Sequence, residues 1–218
     1  ENYHWKPELG TKYQVIDKRD GSVSTYEGEA CFGFHHVNAY EEQGQIIMDF
    51  VGYDDASVLE QLYLEKLRSN EPTYAAGYLT RVSINPKRKH DIQLQRLSDK
   101  LTELPRINHE QYRQRKYRYS YGSGNTVEGN FLDDITKIDA ETGEHKSWFR
   151  EGHFPGEPVF VSGPEPQSED DGVLLSVVLD AEERLTYLLV LDAKTLEEVG
   201  RATAEDMLIP FNFHGQYV

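Results

Sequence analysis

The sequence predicts an all-β fold built from blade-like units, with one short amphipathic helix. At three places in the chain, a strand that ends on aspartate is followed by a reversal and a second strand. Other apolar runs of strand length lie between these hairpins, and a single segment carries its apolar residues at helical spacing. Repeats of one hairpin design suggest a blade architecture.

Each hairpin combines an apolar strand with turn-forming residues. The first turn contains Asp20-Gly21, a dipeptide that favours tight reversals, and the second contains Glu141-Thr142-Gly143. The third reverses at Ala193-Lys194-Thr195. The predicted strand pairs are 13–17 with 22–24, 135–139 with 144–149, and 188–192 with 198–202.

The remaining elements follow from periodicity. The predicted helix covers 58–68, where Val58 and Leu62, and Leu59, Tyr63 and Leu67, recur at helical spacing. Polar loops are expected at 87–90 and 163–169, and no linker divides the chain. Further strands are predicted at 45–51, 78–84, 117–121, 159–161 and 173–179.

Composition limits the function classes. The 218 residues are 38% hydrophobic, enough for a substantial core, and one domain is expected. A net charge of -15 argues against a nucleic-acid partner. The single cysteine, Cys31, fits a reducing compartment, and no apolar run is long enough to span a membrane. The chain begins at Glu1 in what reads as the middle of a domain, so we expect a piece of a longer protein.

Two adjacent histidines stand in an apolar run, residues 31–42, which predicts a buried strand. Alternation along a strand would place His35 on a face of small residues and His36 among aromatic side chains. This asymmetry fits one histidine that binds a metal beside one that only packs in the core. It fits equally two histidines that both pack in the core. The last residues add His214, again between an aromatic residue and a glycine.

Five motifs in one order extend this pattern over nearly the whole chain: Phe34-His35-His36-Val37-Asn38-Ala39-Tyr40-Glu41-Glu42, Glu103-Leu104-Pro105-Arg106-Ile107-Asn108, Pro155-Gly156-Glu157-Pro158-Val159-Phe160-Val161, Glu169-Asp170-Asp171-Gly172-Val173-Leu174-Leu175-Ser176 and Phe213-His214-Gly215. Together they resemble the carotenoid cleavage oxygenase family, with a form closer to its carotene-to-retinal and retinoid isomerohydrolase branch than to the plant branch. The resemblance implies the C-terminal part of a seven-bladed β-propeller, so that residues 1–218 form the C-terminal half of one propeller domain and lack its N-terminal half.

The resemblance also implies a metal centre. The family holds Fe(II) with four histidines, of which His35 and His214 match here, and an N-terminal fragment of the same protein would supply the others. Glutamates orient such histidines through their second N–H group. Glu103 and Glu157 match, and we pair Glu103 with His35 and Glu157 with His214.

The implied activity is Fe(II)-dependent cleavage of a carbon–carbon double bond of a carotenoid or apocarotenoid with O₂, giving aldehydes and in particular retinal. Phe34, Phe154 and Phe213 flank the motifs and are predicted to contact the substrate, although core packing would select the same residues. Such a protein would be cytoplasmic and associated peripherally with membranes, but the sequence contains no basic amphipathic helix for that purpose. Retinoid isomerohydrolysis, stilbene cleavage and a metal-free binding module remain alternatives.

Other patterns in the sequence give weaker indications of function. The basic and aromatic run 113–121 is compatible with RNA binding, but the acidic charge favours an ordinary blade strand. Glu169-Asp170-Asp171-Gly172 lacks the spaced oxygen ligands of a calcium loop and favours a turn. We expect His36 to be structural, and four other histidines to lie at the surface: His90, His109, His145 and His153.

Overall fold

The computed structural model describes residues 4–69, 77–88, 91–126, 131–204 and 207–218. Within them are three single-turn α-helices, α1 (Val58–Gln61), α2 (Leu64–Leu67) and α3 (His109–Tyr112), and a 3-10 turn at Pro7–Leu9. None of these helices combines the length and the apolar character that crossing a bilayer requires. The strands are β1 (Thr11–Ile16), β2 (Val23–Gly28), β3 (His36–Glu42), β4 (Gln45–Gly52), β5 (Gly77–Ile84), β6 (Ile92–Arg106), β7 (Tyr119–Gly124), β8 (Asp134–Asp139), β9 (His145–Phe149), β10 (His153–Pro155), β11 (Val159–Ser162), β12 (Gly172–Asp180), β13 (Leu185–Asp192) and β14 (Glu198–Ala204).

The strands form antiparallel meanders of the predicted blade type. β3 to β9 follow one another in chain order in a single sheet. The long strand β6 belongs to two units, because its first part pairs with β5 and its end pairs with β7. β12, β13 and β14 form the next unit, in which both β10 and β11 pair with β12, and β1 and β2 form a separate hairpin.

The aspartate that ends each predicted hairpin strand caps the turn that follows. The carboxylate of Asp139 accepts hydrogen bonds from the backbone N–H groups of Glu141 and Thr142, and Asp192 does the same for Lys194 and Thr195. An aspartate in this position satisfies turn donors that the sheet leaves unpaired. All three predicted hairpins are therefore present, as β1–β2, β8–β9 and β13–β14.

Neighbouring units pack face to face through apolar cores. One core joins Tyr121 of β7 and Ile135 of β8 to Leu174 of β12 and Leu189 of β13.

Charged pairs are also buried in the fold. Lys137 of β8 donates to Asp170 at 2.7 Å and lies 4.1 Å from the ring centre of Tyr119. Lys100 pairs with Asp134. The Glu169–Asp170 segment is a turn before β12, as predicted.

The predicted helix is interrupted. α1 ends at Gln61, Tyr63 adopts an extended backbone with ψ 141°, and α2 is a separate turn. Val58 is buried, whereas Tyr63, Leu64 and Leu67 are exposed. Helical periodicity was present in the sequence, but too little of the apolar surface is covered to hold one continuous helix.

The expected strand at residues 31–42 is also wrong in part, since β3 covers only His36–Glu42. A register shift between His36 and Asn38 breaks the alternation of side chains, so the neighbours Val37 and Asn38 are both buried. His36 is exposed, with its ring 6.4 Å from that of Phe50. The predicted strand at 117–121 begins at Tyr119, because Tyr117 precedes β7.

His153 corrects the expectation of a surface residue, because it is only 7% exposed. His109 and His145 are exposed as expected, and His90 lies outside the described residues. His153 Nδ1 is 3.0 Å from the hydroxyl of Tyr187, and Nε2 is 3.6 Å from Asp180. Burial lowers the pKa of His153 in spite of Asp180, and Arg150 and Arg201 add to the lowering.

We expect His153 to make stability depend on pH. A histidine whose pKa is lower in the folded than in the unfolded state destabilises the fold as pH falls below its ordinary value of about 6.5. In thermal unfolding of the full-length protein between about pH 7.5 and pH 5, His153→Gln should therefore reduce the pH-dependent loss of stability. The exposed His145 provides the matched control, and His145→Gln should leave the slope unchanged. Equal slopes for His153→Gln and the unaltered protein would contradict this expectation.

Candidate functional site

His35 is held by the segment that precedes β3. Phe32 and Tyr53 exchange two backbone hydrogen bonds, and the carbonyl of His35 accepts one from the backbone N–H of Val51 at 2.9 Å. Gly33 permits this close approach, since a Cβ atom there would lie 2.7 Å from the carbonyl oxygen of Val51. The backbone on both sides of His35 is thus fixed against the end of β4.

Glu103, on β6, lies beside His35. Its Oε2 atom is 2.6 Å from His35 Nδ1, and the carboxylate is almost entirely buried, with 2% of Glu103 exposed. A register shift in β6 and a left-handed backbone at Leu104, with φ 49°, direct the N–H of Leu104 to the same Oε2 atom at 2.7 Å. A non-glycine residue adopts this conformation at a cost of about 1–3 kcal/mol, and strain of this kind is found at functional sites when the surrounding structure holds it in place.

The second histidine reaches the site from the C-terminal segment. Ile209 exchanges hydrogen bonds with the side chain of Thr186, through its N–H and its carbonyl. Asn212 contacts Gly156 so closely that a Cβ atom there would lie 2.0 Å from Asn212 Oδ1. These contacts anchor the segment on the sheet that contains β10 to β14 and bring His214 beside Glu157.

Glu157 fixes the end of that segment. It is 7% exposed, its Oε1 atom is 3.2 Å from His214 Nδ1, and its Oε2 atom accepts from the N–H of Gly215 at 2.9 Å. Arg106 donates to Glu157 Oε2 and to the carbonyl of Gly215, both at 2.7 Å. Each predicted histidine is therefore beside the glutamate with which we paired it.

The two imidazoles converge. The ring centres of His35 and His214 are 5.2 Å apart, with an interplanar angle of 69°. Both Nδ1 atoms face glutamates, and among the described residues neither Nε2 atom has a hydrogen-bond partner. Hydrogen bonding to Glu103 raises the pKa of His35 against the opposing effect of burial.

This donor set fits part of a metal centre. Imidazole nitrogens bind divalent ions at about 2 Å, so the centres of two rings on one ion lie about 4.5–6 Å apart. The carboxylates of Glu103 and Glu157 favour a cation nearby and the Nδ1–H tautomer, which leaves Nε2 as the donor. Two imidazoles do not complete a site, and no group of three metal-binding side chains occurs within the described ranges. Their role as ligands stays a prediction.

Aromatic side chains surround the two histidines. Next to His35, Phe34 is 5.0 Å from Phe32 and 5.8 Å from Tyr53, measured between ring centres. On the side of His214, an aromatic chain connects Phe154, Phe131, Phe211 and Phe213 at 6.4, 4.7 and 5.7 Å. Phe34 and Phe213 are exposed and Phe154 is half-buried. The three predicted substrate-contacting residues thus lie on both sides of the histidines, and contact with substrate remains a prediction.

Sequence reasoning missed two residues of this site. Arg106, which holds Glu157 and Gly215, stands inside the Glu-Leu-Pro-Arg-Ile-Asn motif but had been given no role. Tyr53 donates from its hydroxyl to Glu103 Oε1 at 2.6 Å and belongs to none of the motifs. The motif could have indicated Arg106, whereas no sequence signal indicates Tyr53.

Comparison with known proteins places this geometry in a family. The family model described as "Retinal pigment epithelial membrane protein" matches residues 1–218. The carotenoid isomerooxygenase of Galleria mellonella is 34% identical, and the match covers 99% of this chain and 44% of that protein. The mitochondrial carotenoid-cleaving dioxygenase of Macaca fascicularis is 30% identical, and the match covers 98% of this chain and 46% of that protein. The chain thus spans about half the length of the curated relatives it matches.

Solved structures agree with the sequence relatives. The crystal structure of a cobalt-substituted apocarotenoid oxygenase of Synechocystis superposes with a TM-score of 0.87 at 27% identity. The match covers 98% of this chain and 45% of that one. Carotenoid oxygenases have a seven-bladed β-propeller, so the predicted fold class, the C-terminal part of such a propeller, is confirmed. The chain belongs to the carotenoid oxygenase family.

Proposed function

We propose that the protein containing this chain is an Fe(II)-dependent dioxygenase that cleaves a carbon–carbon double bond of a carotenoid or apocarotenoid with O₂ and releases retinal. The observation that carries the proposal is the convergence of His35 and His214, each paired with a buried glutamate. Family membership supports carotenoid cleavage. Both oxygen atoms of O₂ end in the two aldehyde groups, so the reaction needs no external reductant.

His35 and His214 would hold Fe(II) through Nε2, and the bound ion would supply the activation of O₂. Glu103 and Glu157 keep the proton of each imidazole on Nδ1 and fix the ring orientation. Phe34 beside His35, and Phe213 with Phe154 on the side of His214, would offer an apolar surface that binds a polyene and excludes water from the reacting bond. A rigid aromatic wall also fixes which double bond reaches the metal.

The remaining ligands would come from an N-terminal segment of the same protein. Two histidines provide too few donors for a catalytic iron site, and three or four protein ligands are usual for catalytic metals. The relatives are about twice as long as this chain, which supports a completed propeller of one polypeptide. We therefore infer that the metal centre forms between the two halves.

We also propose that the protein is cytoplasmic and docks on a lipid surface, from which an apolar substrate would enter. The exposed side chains of Tyr63, Leu64 and Leu67 support this, because their segment begins five residues after Tyr53 and its Val58 packs in the same apolar cluster as Tyr53. Residues 58–68 contain Glu60 and Glu65 against Lys66 and Arg68, so the attraction would be apolar rather than electrostatic. Co-flotation with neutral phosphatidylcholine vesicles tests it. Loss of binding in Leu64→Asp/Leu67→Asp is expected, and an unchanged bound fraction would contradict the docking surface.

Product analysis tests the activity itself. The iron-loaded full-length protein is incubated under ¹⁸O₂ with β-carotene, an apocarotenal, a retinyl ester and a stilbene, and products are identified by mass spectrometry. Retinal labelled from O₂ is the expected result. An isomerised retinol from the retinyl ester or aldehydes from the stilbene would select the other reactions of the family. Absence of both turnover and bound iron would favour a metal-free binding module.

A further inference from the structure

The carboxylate of Glu103 is held by three donors from three different places in the fold. Its Oε2 atom contacts His35 Nδ1 at 2.6 Å and the N–H of Leu104 at 2.7 Å. Its Oε1 atom accepts from the hydroxyl of Tyr53 at 2.6 Å. Hydrogen bonds of this length to a carboxylate are strong, and together they leave the carboxylate no freedom to rotate.

The other glutamate is held in a different way. Glu157 is fixed by the guanidinium of Arg106 and by the N–H of Gly215. A charged side chain therefore orients the partner of His214, whereas the neutral phenol of Tyr53 orients the partner of His35. Among the described residues no lysine or arginine forms an ion pair with Glu103, and its negative charge favours a metal ion at His35.

Tyr53 is itself rigid. Its backbone N–H donates to the carbonyl of Phe32 at 2.8 Å, and the N–H of Phe32 donates back at 3.1 Å. Its ring packs edge-on against Phe32 and Phe34 at 6.1 and 5.8 Å between centres. Tyr53 is almost completely buried, so its hydroxyl is fixed by packing before any ligand binds.

We propose that Tyr53 is a positioning residue of the metal centre, an inference that rests on the proposed function. Tyr53 holds Glu103 in place and, through Glu103, fixes the orientation of His35. Its ring at the same time supports Phe34, so one side chain couples the metal ligand to the aromatic wall. Tyr53 touches neither metal nor substrate in this role. Loss of its hydroxyl would leave Glu103 Oε1 without the donor that holds it and would allow His35 to turn.

The test compares two tyrosine-to-phenylalanine variants in the full-length protein, with Co(II) as the probe. Tyr53→Phe removes the hydrogen bond to Glu103, and the matched control Tyr117→Phe removes a 2.7 Å hydrogen bond to the buried carboxylate of Asp49, away from the histidines. Cobalt affinity is measured by equilibrium dialysis, and ligand geometry by the visible absorption bands of bound Co(II). Tyr53→Phe should weaken cobalt binding about tenfold and shift these bands, whereas Tyr117→Phe should do neither.

Glu103→Gln provides the second variant. If Tyr53 acts through Glu103, adding Tyr53→Phe to Glu103→Gln should weaken cobalt binding no further. Wild-type affinity and unshifted bands in Tyr53→Phe would overturn the inference, and so would the same change in Tyr117→Phe, since it would reveal general destabilisation. If the unaltered protein fails to bind Co(II) or iron, the proposed function itself fails, which is a distinguishable result.

Discussion

Replacement of His35 by alanine in the full-length protein is expected to remove nearly all bound iron and to abolish carotenoid cleavage. Mutation of residues that only orient metal ligands typically costs 10–100-fold in affinity, so loss of a ligand should cost on the order of 100-fold or more. Removal of the imidazole would also leave the buried carboxylate of Glu103 without its partner at 2.6 Å. His214→Ala should have the same effect, because each ring is one of the two imidazoles that this chain contributes. Iron per protein, measured by mass spectrometry, provides the readout.

His36 offers a control of the same residue type at the adjacent position. It is exposed and lies against Phe50 rather than facing His214. His36→Ala should therefore retain iron and activity. Full iron content in His35→Ala or His214→Ala would exclude them as ligands, and equal losses in His36→Ala would point to disruption of the segment rather than of a metal site. The isolated 218-residue chain should bind iron weakly, since two donors remain from an incomplete set.

The parts of the fold that were predicted correctly depend on local chemistry. Asp139 and Asp192 specify their turns through hydrogen bonds to residues two and three positions later, so the sequence pattern contains the whole cause. The strand β6 was not predicted as a continuous element. It is rich in charged residues and contains Pro105, and its extended conformation follows from pairing with β5 and then with β7. Such pairing is a property of the tertiary structure.

The candidate site also contains features that the sequence predicts and features that it does not. The pairing of His35 with Glu103 spans 68 residues and that of His214 with Glu157 spans 57, and only the family motifs indicated them. Tyr53 could not be found, because its partner lies 50 residues away and a tyrosine at the end of a strand usually reads as packing. The left-handed backbone of Leu104 is equally invisible in the sequence, since leucine does not favour that conformation.

Replacement of Asp49 by asparagine is expected to cost about 3–5 kcal/mol of stability, because it removes one partner of a buried ion pair. Asp49 is 0% exposed and accepts two hydrogen bonds from Arg81, both at 2.8 Å. The hydroxyl of Tyr117 adds a third at 2.7 Å, and the hydrogen bonds to Asp49 raise the pKa of Arg81. Asparagine has nearly the same shape as aspartate but is neutral, so the largely buried guanidinium of Arg81 would lose its counter-ion. Chemical denaturation of the full-length protein measures the loss.

Asp17 makes the same kind of contact at the surface. Arg19 donates to both of its carboxylate oxygens, at 3.0 and 2.6 Å, and Arg19 is almost fully exposed. Water replaces a lost surface partner, so Asp17→Asn should leave the denaturation midpoint nearly unchanged. Replacing both members of the buried pair, with Asp49→Leu and Arg81→Met, should cost less than Asp49→Asn alone, since no buried charge remains. A double variant worse than the single one would mean that the pair is needed for its hydrogen bonds rather than for charge balance. Equal midpoints for Asp49→Asn and Asp17→Asn would mean that water reaches Arg81, and that the blade interior there is less dry than its burial implies.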